Sequence, residues 1–168
     1  MISSDWKTIW SSLGIDEDLI SACKLPLCED ADHLVSAGLD IFNREQFVTS
    51  STLTCWSKMQ SAAAEEDITL AIVSAFRSVE YQYELIRNKL AQGQLIHNIV
   101  QVNAIPGFSE HHTGKAIDIG TDDCDPLTEE FDTTPAFQWL TANAHLFEFT
   151  MSYPKNNATN IIYEPWHW

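Results

Sequence analysis

The chain has 168 residues, 45% apolar and 20% charged, enough for one domain that buries roughly 70% of its unfolded surface and too apolar for a disordered chain. Nine Lys and Arg stand against 24 Asp and Glu, a formal net charge of −15, and a field of that sign repels nucleic-acid phosphates and anionic membrane surfaces. No run of 18 apolar residues is present, which excludes a spanning helix.

The start, Met1-Ile2-Ser3-Ser4-Asp5-Trp6-Lys7, has no basic segment leading into an apolar one, so the sequence predicts a cytoplasmic protein. Trp6, Ile9, Trp10 and Leu13 recur at helical spacing, and Asp16 caps a second short helix ending near Cys23. Residues 1–50 thus read as a helical extension packed on the remainder. Residues 52–67 are Ala-rich and predict a helix, and the apolar, β-branched run 68–76 a buried strand. Val79, Tyr83, Ile86 and Leu90 share one face of a helix that ends near Gly93. Residues 99–104 predict a strand, Pro106-Gly107 a turn, and 115–120 a short strand before the acidic loop Asp122-Asp123-Cys124-Asp125-Pro126. Thr134, with Pro135 at the first helical position, opens a helix through about residue 144. Residues 147–153 and 161–163 read as a closing strand pair around Pro154-Lys155-Asn156-Asn157. Early helices and late strands predict an α+β fold, a small antiparallel sheet flanked by helices, in a single domain over 1–168 with 52–168 as its core.

Cys23, Cys28, Cys55 and Cys124 form no C-x-x-C pair, which argues against a zinc ribbon. Four thiols are expected, although Cys23 and Cys28 are spaced to pair in an oxidising compartment.

Two segments carry chemistry: Ser109-Glu110-His111-His112-Thr113-Gly114-Lys115-Ala116-Ile117-Asp118 and Glu164-Pro165-Trp166-His167. On a strand Asp118, Ala116 and Gly114 share one face, and Ile117 and Ile119 share the other. The small residues leave room beside the carboxylate, and His111 can swing over it from the preceding loop. Pro165 forbids a regular ladder, so a kink lets Glu164 and His167 reach one centre. Two His and one Asp are three ligands, the catalytic zinc pattern that keeps a fourth position for water, and Glu164 is a candidate general base.

The combination S-x-H-x-x-G-x-A-x-D with E-x-W-H resembles the VanY-type D-alanyl-D-alanine carboxypeptidases, within the zinc peptidase group that includes lysostaphin-type enzymes and the hedgehog fold. Ser74-Ala75-Phe76-Arg77-Ser78 with Gln82, Pro106-Gly107-Phe108-Ser109, Ser152-Tyr153-Pro154-Lys155 and the terminal Tyr163 to Trp168 match the same family. Phe76 stands where Tyr is usual, and the family's Arg-Tyr run after the last Trp is missing. The resemblance implies that His111, Asp118 and His167 bind Zn2+ and that Glu164 is the catalytic base. It also implies that Arg77 stabilises the oxyanion or holds the substrate's terminal carboxylate, that Ser109 and Gln82 hydrogen-bond the terminal residue, and that Tyr153 and Trp166 line the pocket.

The implied partner is a peptidoglycan stem peptide or muropeptide losing a terminal D-Ala. A cytoplasmic enzyme that cut pentapeptide precursors would damage wall synthesis, so the expectation is an L,D-carboxypeptidase acting on tetrapeptides in murein recycling. The alternatives are a D,D-carboxypeptidase on pentapeptides, a phage-type endopeptidase and a non-catalytic zinc-binding module. His112 is expected to be a bystander to His111. His33, His97 and His145 are expected at the surface or helix ends, and Asp122, Asp123 and Asp125 in a solvated loop without the Gly and distal Glu of a calcium site.

Overall fold

The polypeptide alternates short helices with two small antiparallel sheets. The computed structural model describes residues 4–168. Helices α1 (Ser4–Ser12) and α2 (Glu17–Ala22) open the chain, and the Asp16 side chain accepts the Leu19 N–H at the start of α2. Strands β1 (Val35–Leu39) and β2 (Glu45–Val48) form a hairpin. Helix α3 (Ser50–Glu65), capped by Thr49, leads to β3 (Ala71–Ser74), and α4 (Val79–Ala91), capped by Ser78, to α5 (Ile96–Val102). A 3-10 turn at Glu110–Thr113 precedes β4 (Asp118–Gly120), and α6 (Pro135–Asn143) follows a second 3-10 turn, Glu129–Thr133. Among the described residues no helix is long and apolar enough to cross a membrane.

The second sheet positions the site. Strand β3 pairs antiparallel with β4, Ile72 opposite Ile119 and Ser74 opposite Asp118. The free edge of β4 is covered by the last residues of the chain: Ile117 and Trp168 exchange both backbone hydrogen bonds, and the Ile119 N–H donates to the Trp166 carbonyl. Asp118 and His167 therefore face each other as a bridge pair, the type of antiparallel pair whose side chains lie closest. The reverse face of β4 carries Ile117 and Ile119, fully buried among Trp56, Met59, Leu70, Phe131 and Leu140. A second core joins Trp10, Leu13 and Ile15 to Ile86, Ile99, Ile105 and Phe108, with the Trp10 indole N–H donating to the Pro106 carbonyl at 2.8 Å. The α+β architecture matches the expectation from the sequence.

Several elements differ from that expectation. Residues 99–104 lie largely in α5, where Ile96, Ile99 and Val100 make one inward face; a short apolar run does not separate helix from strand. The predicted strands at 147–153 and 161–163 are irregular. Ala144–Phe147 is a 3-10 turn and Glu148 takes φ 65°, although the Glu164 N–H still donates to the Tyr153 carbonyl. The strand expected at 115–120 is limited to Asp118–Gly120, because Gly114 adopts φ 65° as the cap of the preceding turn.

The hairpin at residues 35–48 was not expected in a helical extension. Its tip is organised by Asp40, a buried carboxylate that accepts from the Phe42 and Arg44 backbone N–H groups, Arg44 Nε and Gln46 Nε2. Burial raises the Asp40 pKa, but these donors and the Arg44 charge outweigh it and hold the pKa below its ordinary value. The resulting stabilisation is present above the unfolded pKa of about 3.9 and is lost as pH falls through the lower folded value. Asp40→Ala is expected to cost about 1–3 kcal/mol at neutral pH by removing the carboxylate that gathers four hydrogen bonds at the hairpin tip. In urea unfolding the penalty should shrink in acid; an undiminished penalty would mean that the carboxylate charge contributes nothing.

Candidate functional site

The first motif is a turn built to deliver two imidazoles. Ser109 opens it, its Oγ accepting the His111 N–H, and Gly114 closes it at φ 65°. A Cβ at Gly114 would stand 2.7 Å from Leu34 Cδ2 and 3.3 Å from the Thr49 nitrogen, so both its backbone conformation and its crowding demand glycine. Between these ends, His111 and His112 are both fully buried and reach back to the strand exit after β3: His111 Nδ1 lies 2.6 Å from the Ala75 carbonyl and His112 Nδ1 2.6 Å from the Arg77 carbonyl.

His111 donates its Nδ1 proton to Ala75, which leaves Nε2 as a lone pair. That atom has no hydrogen-bond partner and lies 3.3 Å from Asp118 Oδ2. His167 is turned the other way: its Nε2 meets Glu110 Oε2 at 2.9 Å, leaving Nδ1 3.2 Å from Asp118 Oδ1 and 3.6 Å from Glu164 Oε2. The Pro165 turn, closed by the His167 N–H on the Glu164 carbonyl, brings Glu164 and His167 to one centre, as the sequence suggested. One ligand atom from each of His111, Asp118 and His167 falls within 4.8 Å of the others. Each imidazole is oriented by an outer acceptor, Ala75 O or Glu110, and Glu110 in turn accepts from Ser152 Oγ at 2.6 Å; such outer contacts fix the tautomer of metal-binding His. A buried, unpartnered imidazole nitrogen facing a buried carboxylate fits a zinc ion.

The remaining expected residues are placed as follows. Arg77 Nη2 is 4.0 Å from Asp118 Oδ2, and its Nε is buried without a partner. The Tyr153 ring lies 4.6 Å from that of His167. Gln82 is buried on α4; its Nε2 donates to the Ala104 carbonyl and its Oε1 is unpartnered. Trp166 rests against the main core, and Ser109 is occupied in capping the turn. His33, His97, His145 and the acidic-loop Asp122, Asp123 and Asp125 are exposed, and all four cysteines are free.

Sequence reasoning missed four supports. Glu110 was passed over although it sits inside the motif. His112 is a buried clamp rather than a bystander. The chain from Cys28 to Ala31 runs along the motif, with the Cys28 N–H on the Gly107 carbonyl and the Ala31 N–H on the His112 carbonyl. Asp30 Oδ1 accepts the Val79 N–H at the start of α4. Gln46, held by Asp40, accepts the Ala75 N–H, so the unforeseen hairpin steadies the peptide that orients His111.

The electrostatics divide the groups. Burial, then the nearby Arg77, pushes His111 down to about 4. Burial also disfavours charge on His167, but its bonds to Asp118 and Glu110 outweigh this and hold it at about 9. Asp118 lies well below the usual carboxylate range because His111 and His167 overcome its burial. Burial raises Glu164 to about 7.

His167 Nδ1 is thus protonated at neutral pH before a metal binds, and that proton must leave for the atom to coordinate. Zinc affinity is expected to rise with pH below this pKa, approaching tenfold per pH unit with about one proton released per ion. Calorimetry in buffers of different ionisation enthalpy reads both; pH-independent binding would remove His167 Nδ1 from the ligand set.

The chain is similar to proteins of known family and structure. The family model VanY, described as D-alanyl-D-alanine carboxypeptidase, matches residues 45–168. YodJ of Bacillus subtilis (strain 168) is 33% identical over 128 residues, covering 74% of this chain and 46% of YodJ, so the chain spans less than half the length of that relative. The structure of the LdcB LD-carboxypeptidase superposes with a TM-score of 0.74 at 30% identity, over 82% of this chain and 67% of LdcB. The vancomycin resistance D,D-pentapeptidase VanY from a VanB-type cassette, solved in complex with Zn(II), gives a TM-score of 0.63 at 25% identity over 85% and 80% of the two chains. From the extent of the family match and the shared fold, the chain belongs to the VanY family of D-alanyl-D-alanine carboxypeptidases.

Proposed function

We propose that this chain is a zinc-dependent carboxypeptidase that removes the C-terminal D-alanine of peptidoglycan stem peptides, acting on the L,D bond of tetrapeptides. The observation that carries the reading is the convergence of His111 Nε2, Asp118 and His167 Nδ1 within 4.8 Å of one another, with Glu164 beside His167 and Arg77 beside Asp118. The solved L,D-carboxypeptidases LdcB and DacB are each 30% identical to this chain, against 25% for the D,D-pentapeptidase VanY, which favours the L,D bond, whereas their TM-scores of 0.74, 0.59 and 0.63 do not separate the two classes. The description of the matching family favours the D,D bond of pentapeptides as the second reading.

In this proposal His111, Asp118 and His167 would hold the ion. Bound zinc would supply Lewis-acid polarisation of the scissile carbonyl and acidify a water. Glu164 takes the water's proton and returns it to the leaving amine. Its carboxyl, raised to about 7 by burial, is matched to moving a proton near neutral pH. Asp118 is unsuited to that task because the two imidazoles hold it ionised. Arg77 brings a guanidinium to the terminal carboxylate or to the developing oxyanion. The unpartnered Arg77 Nε and Gln82 Oε1 are assigned to the substrate's terminal residue, with Tyr153 against the His167 ring and Trp166 and Ser109 as further contacts.

Zinc-loaded protein should be given muropeptides with tetrapeptide and pentapeptide stems and the products weighed by mass spectrometry. Tripeptide formed from the tetrapeptide alone is the expected result, tetrapeptide formed from the pentapeptide would establish the D,D reading, and no product from either would overturn both. Glu164→Ala should retain zinc and lose roughly 10²–10⁴-fold in kcat; retained turnover would refute the assignment of the base.

A further inference from the structure

His112 lies beside a proposed metal ligand, is inaccessible to solvent, and points away from Asp118 to a different task. Its Nε2 is 3.1 Å from the Gly107 nitrogen. A backbone N–H can only donate, so Nε2 is the acceptor and the ring proton sits on Nδ1. From there it is donated to the Arg77 carbonyl at 2.6 Å. The Arg77 N–H donates in turn to the His111 carbonyl at 3.3 Å. The Arg77 peptide groups are thus tied on both sides to consecutive residues of the motif. Asp30 fixes the chain just beyond, accepting the Val79 N–H at 2.9 Å.

Among the described residues the Arg77 side chain has no comparable tether. Its Nε is buried without a partner, and the 4.0 Å approach of Nη2 to Asp118 is beyond hydrogen-bond distance. Where the guanidinium stands is therefore set from the backbone. We propose that His112 is a positioning residue for Arg77: by holding the Arg77 carbonyl it fixes the guanidinium beside the metal centre. The inference rests on the reading of Arg77 as the group that meets the substrate's carboxylate or oxyanion.

Two substitutions divide the imidazole. His112→Asn keeps an amide donor at the position of Nδ1, so it can still hold Arg77. His112→Gln places its amide at the position of Nε2, so it can satisfy Gly107 but releases the Arg77 carbonyl. On tetrapeptide and pentapeptide stems, His112→Gln should lower kcat/KM by about 10–100-fold, in line with the cost of misplacing a catalytic group. His112→Asn should restore most of that loss. Zinc affinity, read by chelator competition, should stay within about twofold of wild type in both, which separates an effect through Arg77 from one through His111.

A double-mutant cycle completes the test. In the Arg77→Ala background His112→Gln should cost nothing further, as expected of residues that act as a unit. Additive losses, equal losses for Asn and Gln, or a fall in zinc affinity in step with activity would each overturn the role of His112. Arg77→Ala without effect would instead overturn the reading of Arg77 and the inference that rests on it. Should His112→Asn not fold, as read by its urea midpoint, the cycle between His112→Gln and Arg77→Ala decides alone.

Discussion

Asp118 is a carboxylate almost sealed from water, and much of the surrounding structure compensates its charge. An isolated buried carboxylate is too costly to persist ionised. Here two imidazoles and a guanidinium approach it from three separate parts of the chain. Strand β4 supplies the carboxylate, the Glu110–Thr113 turn supplies His111, and the chain end supplies His167. The segment after β3 supplies Arg77. Removing the protonated His167 or Arg77 would leave a buried charge undercompensated, while the neutral His111 presents its unprotonated Nε2 to the same centre, so the tertiary fold and the site are held by the same contacts.

The compensation is layered. Each imidazole gives one nitrogen to the centre and the other to an outer acceptor, Ala75 O for His111 and Glu110 for His167. Those acceptors are themselves held: Gln46 takes the Ala75 N–H, Asp40 holds Gln46, and Ser152 donates to Glu110. Rotating an imidazole therefore means breaking a chain of bonds, the kind of rigidity that a metal-binding pocket needs. The amino-terminal segment joins this outer layer through Cys28, Asp30 and Ala31.

Two partly enclosed glutamates near one histidine acquire opposite characters. Glu110 is pulled below its ordinary pKa, its burial outweighed by His167 and Ser152, whereas burial dominates at Glu164 and raises it to about 7. The difference is one of partners. Glu110 receives direct hydrogen bonds from a hydroxyl and an imidazole, and Glu164 stands 3.6 Å from His167, with the charges of Asp118 and Glu110 adding to its burial. Carboxylates whose environments separate their proton affinities mark a structural and a chemical role, and in the proposed reading Glu110 holds His167 while Glu164 moves the proton.

The local chemistry was legible in the residues themselves. His111 in a loop before the strand that carries Asp118, and Pro165 forcing the kink that lets Glu164 and His167 converge, could be read from spacing alone, whereas the capping role of Ser109 and the closing role of Gly114 emerged only in the fold. Asp16 and Thr134 cap helices as their positions imply, because capping depends on neighbours three residues away. The sequence did not determine the hairpin at residues 35–48, the helical state of residues 99–104 or the irregular path of 147–163. Short, half-buried segments take their conformation from what they pack against. The roles of Glu110, Gln46 and His112 lay equally out of reach. Each is defined by a partner 29 to 57 positions away, such as Arg77 O for His112, and no local pattern encodes such a contact. The sequence by itself determined which groups are brought to the centre; the tertiary structure decided which nitrogen of each imidazole faces it, because that depends on the hydrogen bond made by the other nitrogen.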